Sequence, residues 1–475
     1  MISLRLAAVG VLLTGFVVTG SGREPQAPQS AGAPAADAGR LANAADAGRL
    51  ADRSPEWIKS RLQDVDAKLD GEAKDLVSLY QHLHSNPELS LTETKTAARL
   101  AEEIKKLGFE VTEKVGGTGI VGVLKNGPGP VVLLRTDMDA LPIIEQTGVP
   151  YASKVRVKDR FGNDVGVMHA CGHDIHMTSW VGTARVMAAL KDKWSGTLVL
   201  IGQPAEEIGA GARMMLEDGL YKRFPKPDYA VALHADPLQP AGVVSYSEGL
   251  ALANADTVDL LVKGKGGHGA APHATIDPIV LSARIILDLQ TIVSRETNPL
   301  DPVVVTVGSI HGGTKHNIIP NEVKLQLTVR TTKTETRDRV LKAIDRIAKA
   351  AAIGAQAPEP VMTVNLDEFT PATFNDVTLA RKTGAVFKEI LGEKNVKSRQ
   401  PLMGAEDFGR YGQGGIPTFM FFLGSISAEK YEASLRADGP KLPGMHTDAY
   451  APIPEPSIRT GVRTECLALL NLLGK

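Results

Sequence analysis

The ten residues "MHACGHDIHM" (168–177) set His169, Cys171, His173 and His176 within one turn, in a chain of 475 residues that has two cysteines and 11 histidines. Cys171 and His173 are two apart, just before a helix expected to begin near Asp174, so one turn can aim a thiolate and an imidazole to the same side. Those are ligand types for a divalent ion. A histidine-rich polar loop, or a disulfide between Cys171 and Cys466, is the plainer alternative. An acidic pair, Glu206–Glu207, follows the apolar run "GTLVLIG" (196–202). Alone it reads as a solvated loop. Set between Pro204 and the glycine-rich "IGAGAR" at the end of a buried strand, it can do more: one carboxylate binds metal while its neighbour holds the attacking water. That division of labour suits metal-assisted hydrolysis. His234 in "YAVALH" and His446 in "GMHTDAY" would each pass singly for a satisfied loop or core histidine, yet their placement fits convergence on the same ions.

The elements that must position these groups are legible as patterns. Helical spacing runs through "KDLVSLYQHLHSNPELS" from about residue 73, stopped by Pro87, and through "ETKTAARLAEEIKKLG" (93–108), capped by Gly108. Short apolar runs come next: "GIVGVL", "GPVVLLR", "GTLVLIG", "YAVALH" and "TFMFFLG". Continuous runs of this length suit strands buried on both faces of a helix-flanked sheet. Three of them release "TDMDALP", "QPAEE" and "HADP", and open α/β sheets collect functional groups just past the carboxyl ends of their strands.

From about 253 to 367 the pattern changes to strand (254–263), helix (277–296), strand (303–311), strand (321–332), helix (335–353), strand (360–366). This β-α-β-β-α-β order is ferredoxin-like, and alternation such as "VKLQLTVR" gives the sheet one wet face. The expected organisation is thus a catalytic α/β domain at 55–252 and 368–475, with a ferredoxin-like domain inserted at 253–367.

"RTDMDALPI", "HACGHDIHM", "GQPAEE", "GGHGAAPH", "HNIIPNEV" and "MGAEDF" occur in this order across about residues 135–408. Over about residues 75–470 the chain resembles the amidohydrolase branch of the aminoacylase and carboxypeptidase metallopeptidase superfamily, which includes hippurate hydrolases and auxin-conjugate hydrolases. The resemblance implies a zinc-peptidase-like catalytic domain with the insertion as a lid. It implies two divalent metal ions, Mn²⁺ favoured over Zn²⁺. Cys171 would bridge them, His173 and His234 would complete one shell, and Glu207 and His446 the other. Glu206 would be the general base and then the acid, and Asp139 would orient a ligand imidazole. In the lid, His268 would approach the substrate carbonyl and Asn317 would contact substrate. Arg330 is a candidate clamp for the substrate carboxylate, and Gly404 belongs to a substrate-facing loop. His169 and His176 would shape the turn. The expected reaction is hydrolysis of the amide bond of an N-acyl amino acid or short peptide, by a water that Glu206 deprotonates; a dipeptidase or carboxypeptidase on the same scaffold is the near alternative. A homodimer through the lid is a further implication.

Composition narrows the alternatives. The formal charge of −1 argues against a nucleic-acid partner. "GTGIVGVLKNG" lacks the G-x-G-x-x-G spacing of a dinucleotide fold. A metal-stabilised binding protein without turnover would have no use for Glu206. Residues 1–22, with Arg5 ahead of an apolar run, read as a signal peptide and imply export to the periplasm or beyond. Residues 23–54 read as a low-complexity linker, repeating "AADAGRLA" at 35–42 and 44–51.

Overall fold

The computed structural model describes residues 52–475; the expected signal segment and residues 23–51 of the expected linker lie outside them. An eight-stranded sheet runs in the order Glu110–Val115, Gly119–Asn126, Gly196–Gln203, Val131–Asp137, Tyr229–Pro240, Thr418–Ile426, Val244–Tyr246, Val396–Ser398. Its four central strands, from Gly196–Gln203 to Thr418–Ile426, are parallel, so their carboxyl ends open along one edge. Thr418–Ile426 is buried at every residue, as a central strand covered on both faces must be.

On one face lie the helices Pro55–Ser85, His173–Ala189, Val377–Leu391 and Pro454–Leu473, around a core that includes Trp180, Trp194 and Phe387. His173–Ala189 is buried on nearly every side, the condition of a helix enclosed by protein. The opposite face carries a second core with Met215, Phe408 and Tyr411. Both cysteines are free, Cys171 at the sheet edge and Cys466 inside Pro454–Leu473, so no disulfide links them.

Two elements differ from the sequence pattern. The first helix starts at Pro55, not near residue 73, and is 31 residues long. The Ser54 hydroxyl accepts the Trp57 amide at 3.2 Å, and proline at the first helical position costs no hydrogen bond. Ile58, Val65 and Leu69 bury one face of the early turns, but charged residues between them dilute the periodicity. The strand beginning at Tyr229 continues to Pro240, so His234 stands inside it, beside Phe422 of the neighbouring strand, instead of at its end.

The insertion forms its own four-stranded antiparallel sheet, ordered Val304–His311, Glu322–Thr331, Asn254–Lys263, Val361–Thr370. The helices Pro278–Arg295 and Thr334–Gly354 cover one face, enclosing Leu260, Ile285, Leu325 and Ile344. Burial alternates residue by residue along Asn254–Lys263, the mark of a sheet with one face packed.

Candidate metal centre and active site

The turn that holds Cys171 and His173 is set by Gly172, whose φ of 82° is left-handed. A Cβ there would lie 2.9 Å from the Ala235 methyl and 3.2 Å from the Tyr450 hydroxyl, so only glycine fits. His446 arrives on a separate loop, its amide donating to the Ala170 carbonyl at 2.9 Å and its own φ at 60°. The structure brings Cys171, His173, Glu206, Glu207, His234 and His446 together. Ligand atoms of Cys171, His173 and His234 lie within 4.8 Å of one another, as do those of Cys171, Glu207 and His446, and of His173, Glu206 and Glu207. Cys171 belongs to two of these groups, the position a bridging thiolate needs.

Two of the three candidate-ligand imidazoles are aimed from behind. His173 Nδ1 donates to the Asp139 carbonyl at 2.7 Å, leaving Nε2 toward the cluster. His234 Nδ1 donates to the Ala235 carbonyl at 2.8 Å, and its Nε2 stands 3.6 Å from Cys171 Sγ. Such partners fix tautomer and ring direction. The Asp139 carboxylate is 3.5 Å from His173 Nδ1, farther than its carbonyl. Its oxygens instead accept the Glu206 amide at 3.1 Å, the Glu207 amide at 3.0 Å and the Ser90 hydroxyl at 2.6 Å. Asp139 therefore orients the acidic pair with its side chain and the imidazole with its backbone. His176 is fully engaged: Nδ1 meets Asp137 at 2.7 Å and Nε2 accepts the Ala235 amide at 2.7 Å. His169 is buried with neither ring nitrogen hydrogen-bonded, and burial pulls it down to about 4, leaving it neutral.

The electrostatics fit a missing positive charge. Burial and the neighbouring carboxylates push the Cys171 thiol and the Glu206 carboxyl upward, and burial lifts Glu207 to about 8. Although burial opposes it, the charges of Asp137 and Asp139 hold His173 up at about 10. Glu207 Oε1 and His173 Nε2 are buried without a hydrogen-bond partner. Orphaned acceptors in a buried, acid-rich pocket of thiolate, imidazole and carboxylate donors are what divalent ions would satisfy.

A cavity of about 510 Å³ opens over this floor. Arg330 and Gly404 line it, and among the described residues the Arg330 guanidinium lies within salt-bridge distance of no carboxylate. The other two expected substrate contacts lie elsewhere. His268 and Asn317 sit on the exposed turn formed by Gly267–His268 and Ile318–Ile319, beside a separate cavity of about 500 Å³.

Several supporting residues carried no signal of their own in the sequence. Arg135, buried, binds Asp137 at 2.7 Å, Glu406 at 2.7 Å and Gln203 at 3.0 Å, tying the ends of two neighbouring strands to the loop at Glu406. Arg399 lies 4.0 Å over the Phe422 ring on the cavity wall and pairs with Asp236. Glu93 accepts the Ala205 amide at 2.8 Å. A motif-based reading passes over such residues because each pairs with a partner distant in sequence.

The family description peptidase family M20/M25/M40 matches residues 133–437. A hippurate hydrolase of Campylobacter jejuni is 39% identical over 329 residues, covering 69% of this chain and 82% of the relative. Thermostable carboxypeptidase 2 of Saccharolobus solfataricus is 37% identical over 377 residues, covering 77% and 91%. Among solved structures, the Bacillus subtilis YXEP protein, described as a dinuclear metal-binding peptidase of the M20 family, superposes with a TM-score of 0.69 at 28% identity, covering 85% of this chain and 99% of that one.

Proposed function

The chain belongs to peptidase family M20/M25/M40 and is a metal-dependent hydrolase of amide or peptide bonds; from that premise we propose that its substrates are N-acyl amino acids, cleaved at the acyl amide. The observation that carries the proposal is the convergence of Glu206 with five candidate metal-ligand residues at the floor of one cavity that Arg330 also lines. Cys171, His173, His234, Glu207 and His446 would hold two divalent ions, which when bound would polarise the acyl carbonyl. Following the resemblance, the ions are taken as Mn²⁺. The thiolate also suits Zn²⁺, and elemental analysis of protein purified without added metal decides between them.

Glu206 takes the proton of the attacking water and delivers it to the leaving amine. Its carboxylate lies in one cluster with His173 and Glu207, close enough to the candidate ions to accept a proton from bound water and then release it. The amides of Glu206 and Glu207 are both held by Asp139, so neither carboxylate has to search for its position. Arg330 would pair with the substrate's free carboxylate through two N–H bonds, and Gly404 lines the same cavity. The name of the Saccharolobus relative favours a second reading, removal of a carboxy-terminal residue from peptides, which uses the same carboxylate clamp.

His268 keeps a substrate role only if the inserted domain turns inward or a second copy of the chain supplies the turn. The Ala270 amide donates to its Nδ1 at 3.0 Å, so the neutral ring presents Nε2–H outward as a donor. Mixing the His268→Ala and Glu206→Gln variants tests the two-copy form: restored turnover would show the turn crossing between copies. Export is proposed from residues 4–20, and amino-terminal sequencing of protein from the native cell tests it. Turnover is tested with Glu206→Gln on N-acyl amino acids and dipeptides. The expected loss is about 10²–10⁴-fold with metal retained; undiminished turnover would overturn the assignment of the base.

A further inference from the structure

One buried acid lies outside the ligand set yet touches the backbone that carries it. Glu93 is fully buried at the amino-terminal cap of the helix Thr94–Lys105, but its side chain makes no capping bond to that helix. Glu88 does this in its place, with Oε2 accepting the Lys95 amide at 2.9 Å and the Thr96 amide at 2.8 Å. Glu93 instead reaches across 112 residues of sequence: Oε1 accepts the Ala205 amide at 2.8 Å and the Leu91 amide at 2.9 Å, and Oε2 accepts the Thr118 hydroxyl at 2.7 Å.

Ala205 is an unusual residue to hold. It is buried, it directly precedes Glu206, and its φ of 51° is left-handed in a non-glycine residue. Its carbonyl is fixed as well, accepting the Ala210 and Gly211 amides, each at 3.1 Å. With Asp139 holding the next two amides, three successive N–H groups, of residues 205, 206 and 207, are each tied to a buried carboxylate. A strained conformation persists when its surroundings over-determine it, and such strain clusters at active sites.

We propose that Glu93 is a positioning residue for hydrolysis: by accepting the Ala205 amide it fixes the left-handed turn from which Glu206 and Glu207 project in opposed roles. The inference rests on the reading of Glu206 as base and Glu207 as ligand. The role is geometric and does not need the charge, so a glutamine should serve. Its carbonyl oxygen can accept from Ala205 and Leu91 while its NH₂ donates to the Thr118 hydroxyl, which then acts as acceptor. Aspartate, one methylene shorter, should not reach.

The test uses the full-length protein, metal-loaded for kinetics and stripped of metal for the titration, and compares Glu93→Ala, Glu93→Asp, Glu93→Gln and Thr118→Val. The last removes a bond to Glu93 but leaves the Ala205 contact. Expected are a kcat lowered about 10–100-fold in Glu93→Ala and Glu93→Asp with KM changed less than about threefold, and metal affinity, read by calorimetric titration, weakened about 10–100-fold as for loss of a support behind a ligand. Glu93→Gln should stay close to wild type in both. Thr118→Val should lose Tm but not kcat. If Glu93→Ala fails to fold, Glu93→Asp and Glu93→Gln carry the comparison. The proposal is overturned if Glu93→Asp keeps both kcat and metal affinity, if Thr118→Val loses kcat to the same extent at a matched Tm, or if Glu93→Gln folds but is as impaired as Glu93→Asp. Failure of the base assignment would show separately, as activity retained in Glu206→Gln, and leaves the metal-affinity readout intact.

Discussion

The turn around Cys171 and the turn around His268 are both glycine-bearing and both present histidine, but they are built differently. In the first, Gly172 packs against Ala235 and Tyr450, and His173 and His234 are each aimed by a backbone carbonyl. In the second, the turn formed by the two-residue strands Gly267–His268 and Ile318–Ile319 presents His268 to solvent, and among the described residues the His268 ring is held by a single hydrogen bond, from the amide of Ala270 within its own turn. The difference teaches where preorganisation has been invested. The candidate ion ligands are fixed in place by their surroundings, whereas the His268 turn, for which a substrate role is only proposed, stands in solvent.

The largest effect that would break this contrast is expected at Cys171. Because the thiolate belongs to both ligand groups, Cys171→Ala should remove metal and lower turnover on the order of 10³-fold or more, the scale of several kcal/mol of lost transition-state stabilisation. Full metal content in that variant, by elemental analysis, would show that the turn is not a ligand site. Next in size is Arg330→Ala. Charge-assisted hydrogen bonds contribute about 1.5–3 kcal/mol, so kcat/KM for N-acyl amino acids should fall roughly 10–100-fold while metal content is unchanged. The loss should vanish for substrates whose carboxylate is amidated, and an equal loss on amidated substrates would remove Arg330 as the clamp.

The smallest expected effect lies away from both turns. Glu465 is buried on the helix Pro454–Leu473, with one oxygen on the Thr183 hydroxyl at 2.7 Å and the other unpartnered, and burial pushes it up to about 8. Its unfolded value is near 4.5, so between about pH 4.5 and 8 the folded state keeps a proton that the unfolded chain releases. Stability from this group is full below about pH 4.5 and declines as pH rises through the window. Glu465→Gln should flatten that decline and raise stability at neutral pH by no more than a few kcal/mol. Denaturant titration at pH 5 and pH 8 measures it; an equal effect at both pH values would contradict the assignment.

The fold is legible in the sequence wherever its signals are local. The buried parallel strands announce themselves as apolar runs, and the residues just past their carboxyl ends include the acidic pair and Asp139. The β-α-β-β-α-β order of the insertion can be read because its elements are consecutive. The early turns of Pro55–Ser85 are obscured because charged residues interrupt the apolar face. Asp139 can be picked out as a support, but not that its carbonyl serves the imidazole while its carboxylate serves two amides. Arg135 and Glu93 stay hidden for a similar reason: a lone arginine in a strand and a lone glutamate at a helix cap acquire meaning only from partners 68 and 112 residues away. The separation of His268 and Asn317 from Arg330 depends on how two strands of the insertion project, which no motif encodes.

The most direct test of the central claim is metal content measured alongside turnover of an N-acyl amino acid, in the wild-type protein and in Glu206→Gln. Two ions per chain are expected in both proteins, with turnover only in the first. A single ion in the wild type, or turnover surviving in Glu206→Gln, would contradict the claim.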